Sequence, residues 1–126
     1  GYYYEPTVFD DVKDKFTIMK EEPFGPLVPI LTFKTFDEVI ERANDNDLGL
    51  CSYLYTNSMD KAHIGSEKLE SGCVAVNTGV VAIAEAPFGG IKQTGYGREG
   101  GSGAIKDYLN VKYTHMGLKI WINEKK

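Results

Sequence analysis

The sequence predicts an α/β fold built on a mostly parallel sheet with flanking helices. Strand-like and helix-like segments alternate through the middle of the chain, in the order strand, helix, strand, helix, strand. Parallel strands need crossover connections, and helices usually supply them. A glycine-rich stretch at 77–99 follows the last of these strands, the position where ligands bind in open α/β sheets. With 126 residues, 42% of them hydrophobic, we expect one domain with a sizeable buried core.

Each element has its own signal in the sequence. Thr35 or Asp37 can cap the first helix, because their side-chain oxygens accept hydrogen bonds from its first N–H groups. Asn57 or Ser58 can cap the second helix in the same way, and Gly72 is expected to close it at the C′ position. The predicted strands are 5–12, 27–33, 50–56 and 74–76, and the predicted helical segments are 15–20, 37–44, 59–71 and 100–108.

Two segments are predicted to lack regular structure. Residues 21–26 contain two prolines and a glycine, which favour a bent, rigid loop, and Pro29 then places the following strand at an edge or a bulge. Residues 77–99 contain five glycines and no hydrophobic periodicity. Their apolar side chains favour a packed loop over a cavity or a partner, rather than a disordered linker.

The end of the chain alternates apolar and polar residues at 109–115, as a strand does. This strand has no sequential neighbour, so we expect it to be presented to another subunit. An apolar run at 120–122 precedes a charged tail. Because the chain opens at Gly1 on three exposed-looking tyrosines, we expect it to be a piece of a larger polypeptide.

Composition excludes several function classes. The net charge of −4, from 14 basic and 18 acidic residues spread along the chain, does not favour nucleic acid as a partner. No apolar run approaches the ~20 residues that span a membrane, and the N-terminus does not look like a signal peptide, so a cytoplasmic protein is expected. Cys51 and Cys73 form neither a disulfide framework nor a metal site, and we expect reduced structural thiols.

Two glycine- and proline-containing motifs, at 21–26 and 87–99, stand in a recognisable order. Together they resemble the C-terminal part of the NAD(P)-dependent aldehyde dehydrogenase superfamily, and the resemblance covers nearly the whole chain. Further matches lie in the same register at 5–8, 47–50, 77–81 and 107–113. The last two are most similar to the succinate-semialdehyde dehydrogenases.

The resemblance implies NAD or NADP as cofactor and a small-molecule aldehyde, succinate semialdehyde or a related semialdehyde, as substrate. Glu22 matches the glutamate that binds the nicotinamide ribose hydroxyls, and Phe24 matches the aromatic residue beside the nicotinamide. The loop at 78–86 corresponds to one that shapes the aldehyde tunnel, and Phe88 to a ring that lines it. Ala82 stands where succinate-semialdehyde enzymes commonly have a serine for the distal carboxylate, a departure that bears on the substrate.

The same resemblance implies bracing roles and a division of the chain. Lys92, Arg98 and Glu99 match family positions that we interpret as ion pairs and hydrogen bonds bracing the loop. Residues 1–108 would belong to the catalytic domain, and 109–126 would form an oligomerisation strand and tail in a homodimer or homotetramer.

The resemblance also implies that the reaction centre lies elsewhere in the polypeptide. The family's nucleophilic cysteine, general-base glutamate, oxyanion asparagine and dinucleotide-binding domain precede the matched region, and neither Cys51 nor Cys73 matches the nucleophile. We therefore expect no catalytic residue in this chain, and no activity from it alone. The alternative is a free-standing binding or assembly module that uses the glycine-rich loop and the 109–115 strand for protein contacts.

Overall fold

Short strands and two helices alternate along the chain. The structure is a computed structural model that describes residues 1–117. Its elements in chain order are β1 (Thr7–Phe9), β2 (Leu27–Pro29), α1 (Phe36–Asn44), β3 (Leu48–Gly49), β4 (Cys51–Leu54), α2 (Met59–Lys68), β5 (Cys73–Val76) and β6 (Ile91–Lys92). Two 3-10 turns add to these, at Thr17–Met19 and Ala104–Tyr108.

The strands of the described chain form three two-stranded sheets, so the prediction of one mostly parallel sheet is wrong in that respect. β1 pairs with β2 and β4 pairs with β5, both in parallel, whereas β3 pairs with β6 in antiparallel fashion. Each strand has only two to four residues, and each pair has no third strand among residues 1–117 to join it to the next. The α/β character and the parallel pairing are confirmed.

The unit β4, α2, β5 is the parallel crossover that the alternation predicts. Four residue pairs are in register, from Cys51 opposite Cys73 to Leu54 opposite Val76. Helix α2 covers this pair closely, because the buried Gly65 leaves no room for a side chain beside Leu54. A ligand bound beyond the carboxyl ends of β4 and β5 would therefore lie beside a rigid unit of the fold.

Both helices begin where the caps predict. The N–H of Glu38 donates to Thr35 Oγ1 at 3.2 Å, and that of Lys61 donates to Ser58 Oγ at 3.3 Å. Glu38 also accepts a hydrogen bond from the backbone N–H of Lys34 at 2.8 Å. This bond is the main reason that the pKa of Glu38 lies below its usual value, and Arg42 adds to the effect.

Helix α2 ends at Lys68, three residues before the predicted end, and Gly72 does not close it. The reason is a side chain from α1: Asn44 Nδ2 donates to the Lys68 carbonyl oxygen at 2.8 Å, and Asn44 Oδ1 accepts from Glu70 N at 2.9 Å. These bonds satisfy backbone groups that a longer helix would have used. Gly72 instead makes room for a neighbouring loop, because a Cβ there would overlap the carbonyl oxygen of Gly89.

The first two strands are shorter than the predicted 5–12 and 27–33. Asp11 has a φ of 56°, which turns the backbone out of an extended course soon after β1. Ile30 N donates to Phe9 O at 2.8 Å. Because alternate residues of a strand point their N–H groups to the same neighbour, the nitrogen of Pro29 faces away from β1, in agreement with the edge position predicted for it.

The expectation of a sizeable core is wrong for the described residues. Their buried hydrophobic side chains are Val12, Ile40 and Ala75 alone. The 14.0 kDa chain exposes 11133 Å², whereas a compact monomer of that mass exposes roughly 6,700 Å². Large apolar side chains such as Val8, Phe33 and Tyr55 are more than half exposed. The sequence has the composition of a globular domain, but its apolar surface is not closed by its own residues.

The C-terminal part contains less regular structure than predicted. The helix expected at 100–108 is the 3-10 turn Ala104–Tyr108, and the residues predicted as a strand at 109–115 form no ladder with the described chain. A strand is stabilised by its neighbour, and none is present here within residues 1–117. The apolar run at 120–122 lies outside the described residues. Neither α-helix of the described chain is long or apolar enough to span a membrane.

Candidate functional site

The loop Thr78–Ala86 leaves the sheet at the end of β5 and runs over the surface. Asn77, the first residue after β5, donates its backbone N–H to Leu54 O at 2.8 Å and has a φ of 56°. The loop returns to the body of the chain at Ala84, whose carbonyl oxygen accepts from Gly101 N at 2.9 Å. Between these anchors Ala82 is exposed. The loop is therefore held at its two ends and open in the middle.

Phe88, Gly89 and Gly90 form a wall that packs against the start of β5, where the Gly89 carbonyl oxygen meets Gly72 and Cys73. Phe88 and Glu99 exchange two backbone hydrogen bonds, of 2.7 and 2.8 Å. Gly90 is buried, and Phe88 is half-buried. The wall thus reaches the start of β5 through the Gly89 carbonyl oxygen, and a side chain at Gly72 would prevent this contact.

The glycine-rich stretch contains a strand that its sequence did not indicate. β6 pairs with β3, so the prediction that 77–99 lacks regular structure is wrong at Ile91–Lys92. The backbone extends this strand pairing by one more hydrogen bond, in which Gln93 N donates to Asp47 O at 2.9 Å. A two-residue strand between glycines carries no periodicity, and only its partner reveals it.

Lys92 braces this stretch against α1 and the residues after α2. Its Nζ donates to the carbonyl oxygens of Asn44 and Asn46 at 2.8 and 3.0 Å, and lies 2.6 Å from Glu70 Oε2. Arg98 braces the wall itself, because its Nη1 donates to Gly90 O at 2.8 Å. These contacts are of the bracing type expected for Lys92 and Arg98.

Glu22 and Phe24 lie in the loop between the first 3-10 turn and β2. Two tight backbone bonds hold it, from Gly25 N to Pro23 O at 3.0 Å and from Leu27 N to Gly25 O at 2.8 Å. Phe24 is 96% exposed, and Glu22 is exposed as well. No residue among 1–117 forms a hydrogen bond or ion pair with the Glu22 carboxylate, so both of its oxygens can accept bonds from a ligand.

The four predicted site residues lie on separate parts of the surface of the described chain. Glu22 lines a depression beside β4 together with Cys51 and Tyr53, and Phe24 lines another with Tyr4. The remaining two are also apart: Phe88 faces a third depression, formed with Arg98 and Tyr108, and Ala82 lines none of the three. The described residues therefore present separate walls rather than one closed pocket.

The two cysteines are neighbours across the β4–β5 pair and are free thiols. Burial, and after it the adjacent Cys73, raises the pKa of Cys51. A raised pKa keeps a thiol neutral and poorly nucleophilic at neutral pH. Cys73 Sγ points to the Gly89 carbonyl oxygen, 3.8 Å away. Neither thiol has the environment of an activated nucleophile. No group of three His, Cys, Asp or Glu residues within 1–117 is placed to hold a metal ion.

Comparison with known families identifies the family of this chain. Residues 1–114 match the family model described as the aldehyde dehydrogenase family. The chain belongs to the aldehyde dehydrogenase family. The match covers both motif segments and the loop between them, so the family resemblance of the sequence is confirmed.

The relatives that match this chain include named succinate-semialdehyde dehydrogenases and a solved aldehyde dehydrogenase structure. The chain is 46% identical over 115 residues to mitochondrial succinate-semialdehyde dehydrogenase of Arabidopsis thaliana. The matched residues make up 91% of this chain and 22% of that protein. It is 44% identical over 118 residues to the NADP(+) succinate-semialdehyde dehydrogenase GabD of Escherichia coli (strain K12), covering 94% of this chain and 24% of that protein. The solved NAD+ complex of a Bacillus cereus aldehyde dehydrogenase is 48% identical with a TM-score of 0.86, covering 89% of this chain and 23% of that one. The chain thus spans 22–24% of the length of these aldehyde dehydrogenases.

Two residues of the candidate site have structural roles that the sequence did not indicate. Gly72 was assigned to a helix end, yet it receives the wall at Gly89. Asn77 lies within one of the matched segments, and its side chain holds the start of the loop through two bonds to Thr56. An asparagine directly after a strand and before a glycine-rich loop is a signal for such a role, because asparagine tolerates positive φ.

Proposed function

We propose that this chain forms the part of an NAD(P)-dependent aldehyde dehydrogenase that faces the nicotinamide end of the cofactor and one side of the aldehyde site. The enzyme oxidises an aldehyde to the carboxylic acid, and its proposed substrate is succinate semialdehyde or a related semialdehyde. The observation that carries this proposal is the 46% identity to a succinate-semialdehyde dehydrogenase over 91% of the chain.

The loop at Glu22 and Phe24 has the chemistry that a nicotinamide riboside needs. An exposed carboxylate without a partner among residues 1–117 can accept hydrogen bonds from two vicinal hydroxyls. A phenyl ring that is 96% exposed offers a flat apolar face beside it. The cofactor would supply the hydride acceptor, while these residues would orient its sugar and ring.

The chain contributes orientation rather than chemistry to this reaction. Aldehyde oxidation through a thioester needs an activated thiolate, donors for the oxyanion and a base for water. The half-buried Cys51, whose pKa is raised, is unsuited to the first of these roles. The exposed apolar surface of the chain supports the view that it works as part of a larger enzyme. We therefore propose that the 126 residues alone turn over no aldehyde.

A chimera tests this function directly. The segment of the Escherichia coli succinate-semialdehyde dehydrogenase that matches this chain is replaced by the corresponding residues of this chain, and the result is called the chimera below. We expect it to reduce NADP+ with succinate semialdehyde, and we expect the isolated chain to show no turnover. A second chimera in the Bacillus cereus aldehyde dehydrogenase guards against a host that does not fold.

The outcomes separate folding from function. A chimera that is soluble and melts cooperatively, yet oxidises no semialdehyde in either host, would contradict the proposal. Turnover by the purified 126-residue chain would contradict the proposed division of labour. The alternative, an assembly module, predicts that the chain cannot replace the matched segment of an active dehydrogenase.

Glu22→Gln in the chimera tests the ribose role. The amide keeps the size of the side chain but loses the charge and one acceptor. A hydrogen bond to a charged group contributes about 1.5–3 kcal/mol, so kcat/KM for the dinucleotide should fall roughly 10- to 100-fold. Glu21→Gln changes the neighbouring exposed carboxylate and serves as the matched control. Equal kinetics of the two variants in an initial-rate assay would exclude this role for Glu22.

Ala82→Ser tests whether this residue faces the far end of the aldehyde. A serine hydroxyl can donate to a distal carboxylate, so the preference for succinate semialdehyde over butanal should rise several-fold, as roughly 1 kcal/mol of hydrogen bonding predicts. Ala84→Ser adds the same hydroxyl two residues away, at another exposed alanine. The ratio of kcat/KM values is the measurement. An increase shared by both variants, or absent from both, would argue against the assigned register.

We also propose that the 109–115 segment pairs with a second subunit in a homodimer or homotetramer. Leu109, Val111 and Tyr113 alternate along it and are 60, 101 and 85% exposed. An alternating apolar segment that pairs with no strand among residues 1–117 is suited to adding a strand to another chain. A cytoplasmic location is proposed on composition alone.

A further inference from the structure

The side chain of Asn77 continues the β4–β5 ladder beyond the last residue of β5. The parallel pairing ends with Leu54 opposite Val76, and Asn77 N makes the next bond, to Leu54 O. The following bonds come from a side chain: Asn77 Oδ1 accepts from Thr56 N at 2.9 Å, and Asn77 Nδ2 donates to Thr56 O at 2.9 Å. The carboxamide thus takes the place that the next peptide group of β5 would have occupied.

The main chain leaves the sheet at the same residue. Asn77 has a φ of 56°, in the left-handed region that asparagine adopts at less cost than most residues. The side chain therefore keeps the ladder satisfied while the backbone turns away into the loop. Neither feature alone would fix the direction of the loop: positive φ also occurs at Asp11 and Lys92. The positive φ and the two side-chain hydrogen bonds together fix the position of Asn77 and the direction in which the loop leaves the sheet.

We infer that Asn77 is a positioning residue for aldehyde selectivity, because it fixes where the loop Thr78–Ala86 begins. This inference rests on the proposed function, in which that loop lies beside the aldehyde. The rest of the loop is weakly held. Its only internal hydrogen bonds are those from Val80 N to Thr78 Oγ1 and from Ala86 N to Ile83 O, each 3.2 Å. Its course therefore depends on its ends.

Asn44 provides a matched control within the same chain. Its carboxamide makes the same pair of bonds to backbone, with Lys68 O at 2.8 Å and with Glu70 N at 2.9 Å. It joins α1 to the end of α2 and makes no hydrogen bond with the loop Thr78–Ala86. A variant at Asn44 therefore loses the same chemistry at a site where only stability should respond.

Two substitutions divide the contributions at Asn77. Asn77→Gly tolerates the positive φ and removes both side-chain bonds. Asn77→Asp keeps the acceptor for Thr56 N but places a carboxylate oxygen against Thr56 O, where a donor is required. In the chimera, both variants should raise KM for succinate semialdehyde about tenfold. KM for NADP+ and kcat should change less than about twofold, since the proposed function places this loop beside the far end of the aldehyde and not beside the cofactor.

Asn44→Gly and Asn44→Asp should lower the melting temperature of the chimera about as much as the Asn77 variants do. They should leave KM for the aldehyde unchanged. A rise in aldehyde KM of the same size for Asn44 and Asn77 variants would show a general loss of structure and overturn the inference. An unchanged aldehyde KM in Asn77→Gly would also overturn it.

Hydrogen exchange gives a readout that does not depend on activity. Mass spectrometry of the chimera should show faster amide exchange at 78–86 in Asn77→Gly than in the unsubstituted chimera, and no such change in Asn44→Gly. Equal exchange at 78–86 in all three proteins would refute the positioning role. If the unsubstituted chimera folds but oxidises no semialdehyde, the proposed function fails, while this exchange experiment still decides whether Asn77 holds the loop.

Discussion

Among glycine-to-alanine substitutions at the described residues, Gly72→Ala is expected to lower the stability of the fold the most. A Cβ at Gly72 would overlap the carbonyl oxygen of Gly89 and lie 2.9 Å from the Cα of Gly90. Gly72 cannot retreat, because its N–H donates to Gly49 O at 3.0 Å as part of the approach to β5. The wall would have to move instead, and overpacking against backbone costs roughly 3 kcal/mol or more.

The measurement is the soluble yield and melting temperature of the chimera with and without the substitution. We expect Gly72→Ala to be insoluble or to melt well below its parent. Gly79→Ala is the control: that position has an ordinary φ, and a Cβ there would meet only the Tyr55 hydroxyl, at 3.9 Å. If the two variants melted at the same temperature, the close approach of Gly89 to Gly72 would be wrong.

Local features of this fold were predictable because they depend on neighbours in sequence. Thr35 and Ser58 cap their helices through residues three positions ahead, and the hydroxyl types that do this are known in advance. The β4, α2, β5 crossover follows from alternation alone. Gly72 was misassigned because the reason for a glycine there is a carbonyl group 17 residues further along the chain.

The residues of the candidate site were predicted from motif order, and that order did not predict how they are arranged. Motif order points to Glu22, Phe24, Ala82 and Phe88. Within residues 1–117, Glu22, Phe24 and Phe88 line three separate depressions, and Ala82 lines none of these. A pattern of residues states which side chains recur in a family, whereas the distance between them depends on long-range packing. Strand β6 shows the same limit, because only its pairing with β3 distinguishes it from the surrounding loop.

Lys92→Met should destabilise the glycine-rich stretch through unsatisfied acceptors. The Nζ group serves the carbonyl oxygen of Asn44, the last residue of α1, the carbonyl oxygen of Asn46 just beyond the helix, and the carboxylate of Glu70. The Asn44 carbonyl carries part of the negative charge of the helix end, which favours a cation. Methionine keeps the length of the side chain but donates nothing, so the loss should be about 2 kcal/mol. In the chimera we expect the melting temperature to fall by roughly 2–4 °C.

Lys68→Met is the control for removing a lysine. Its ammonium lies 3.8 Å from Asp37, with 56 and 88% of the two side chains exposed, and such a pair contributes about 0–1 kcal/mol. A combination of Lys92→Met with Glu70→Gln separates the two kinds of acceptor. Because the Glu70 side chain is 54% exposed, solvent can replace its partner, and most of the loss should persist when Glu70 is already neutral. If Glu70→Gln abolished the effect of Lys92→Met, the ion pair would be the brace, and the helix-end carbonyls would contribute little.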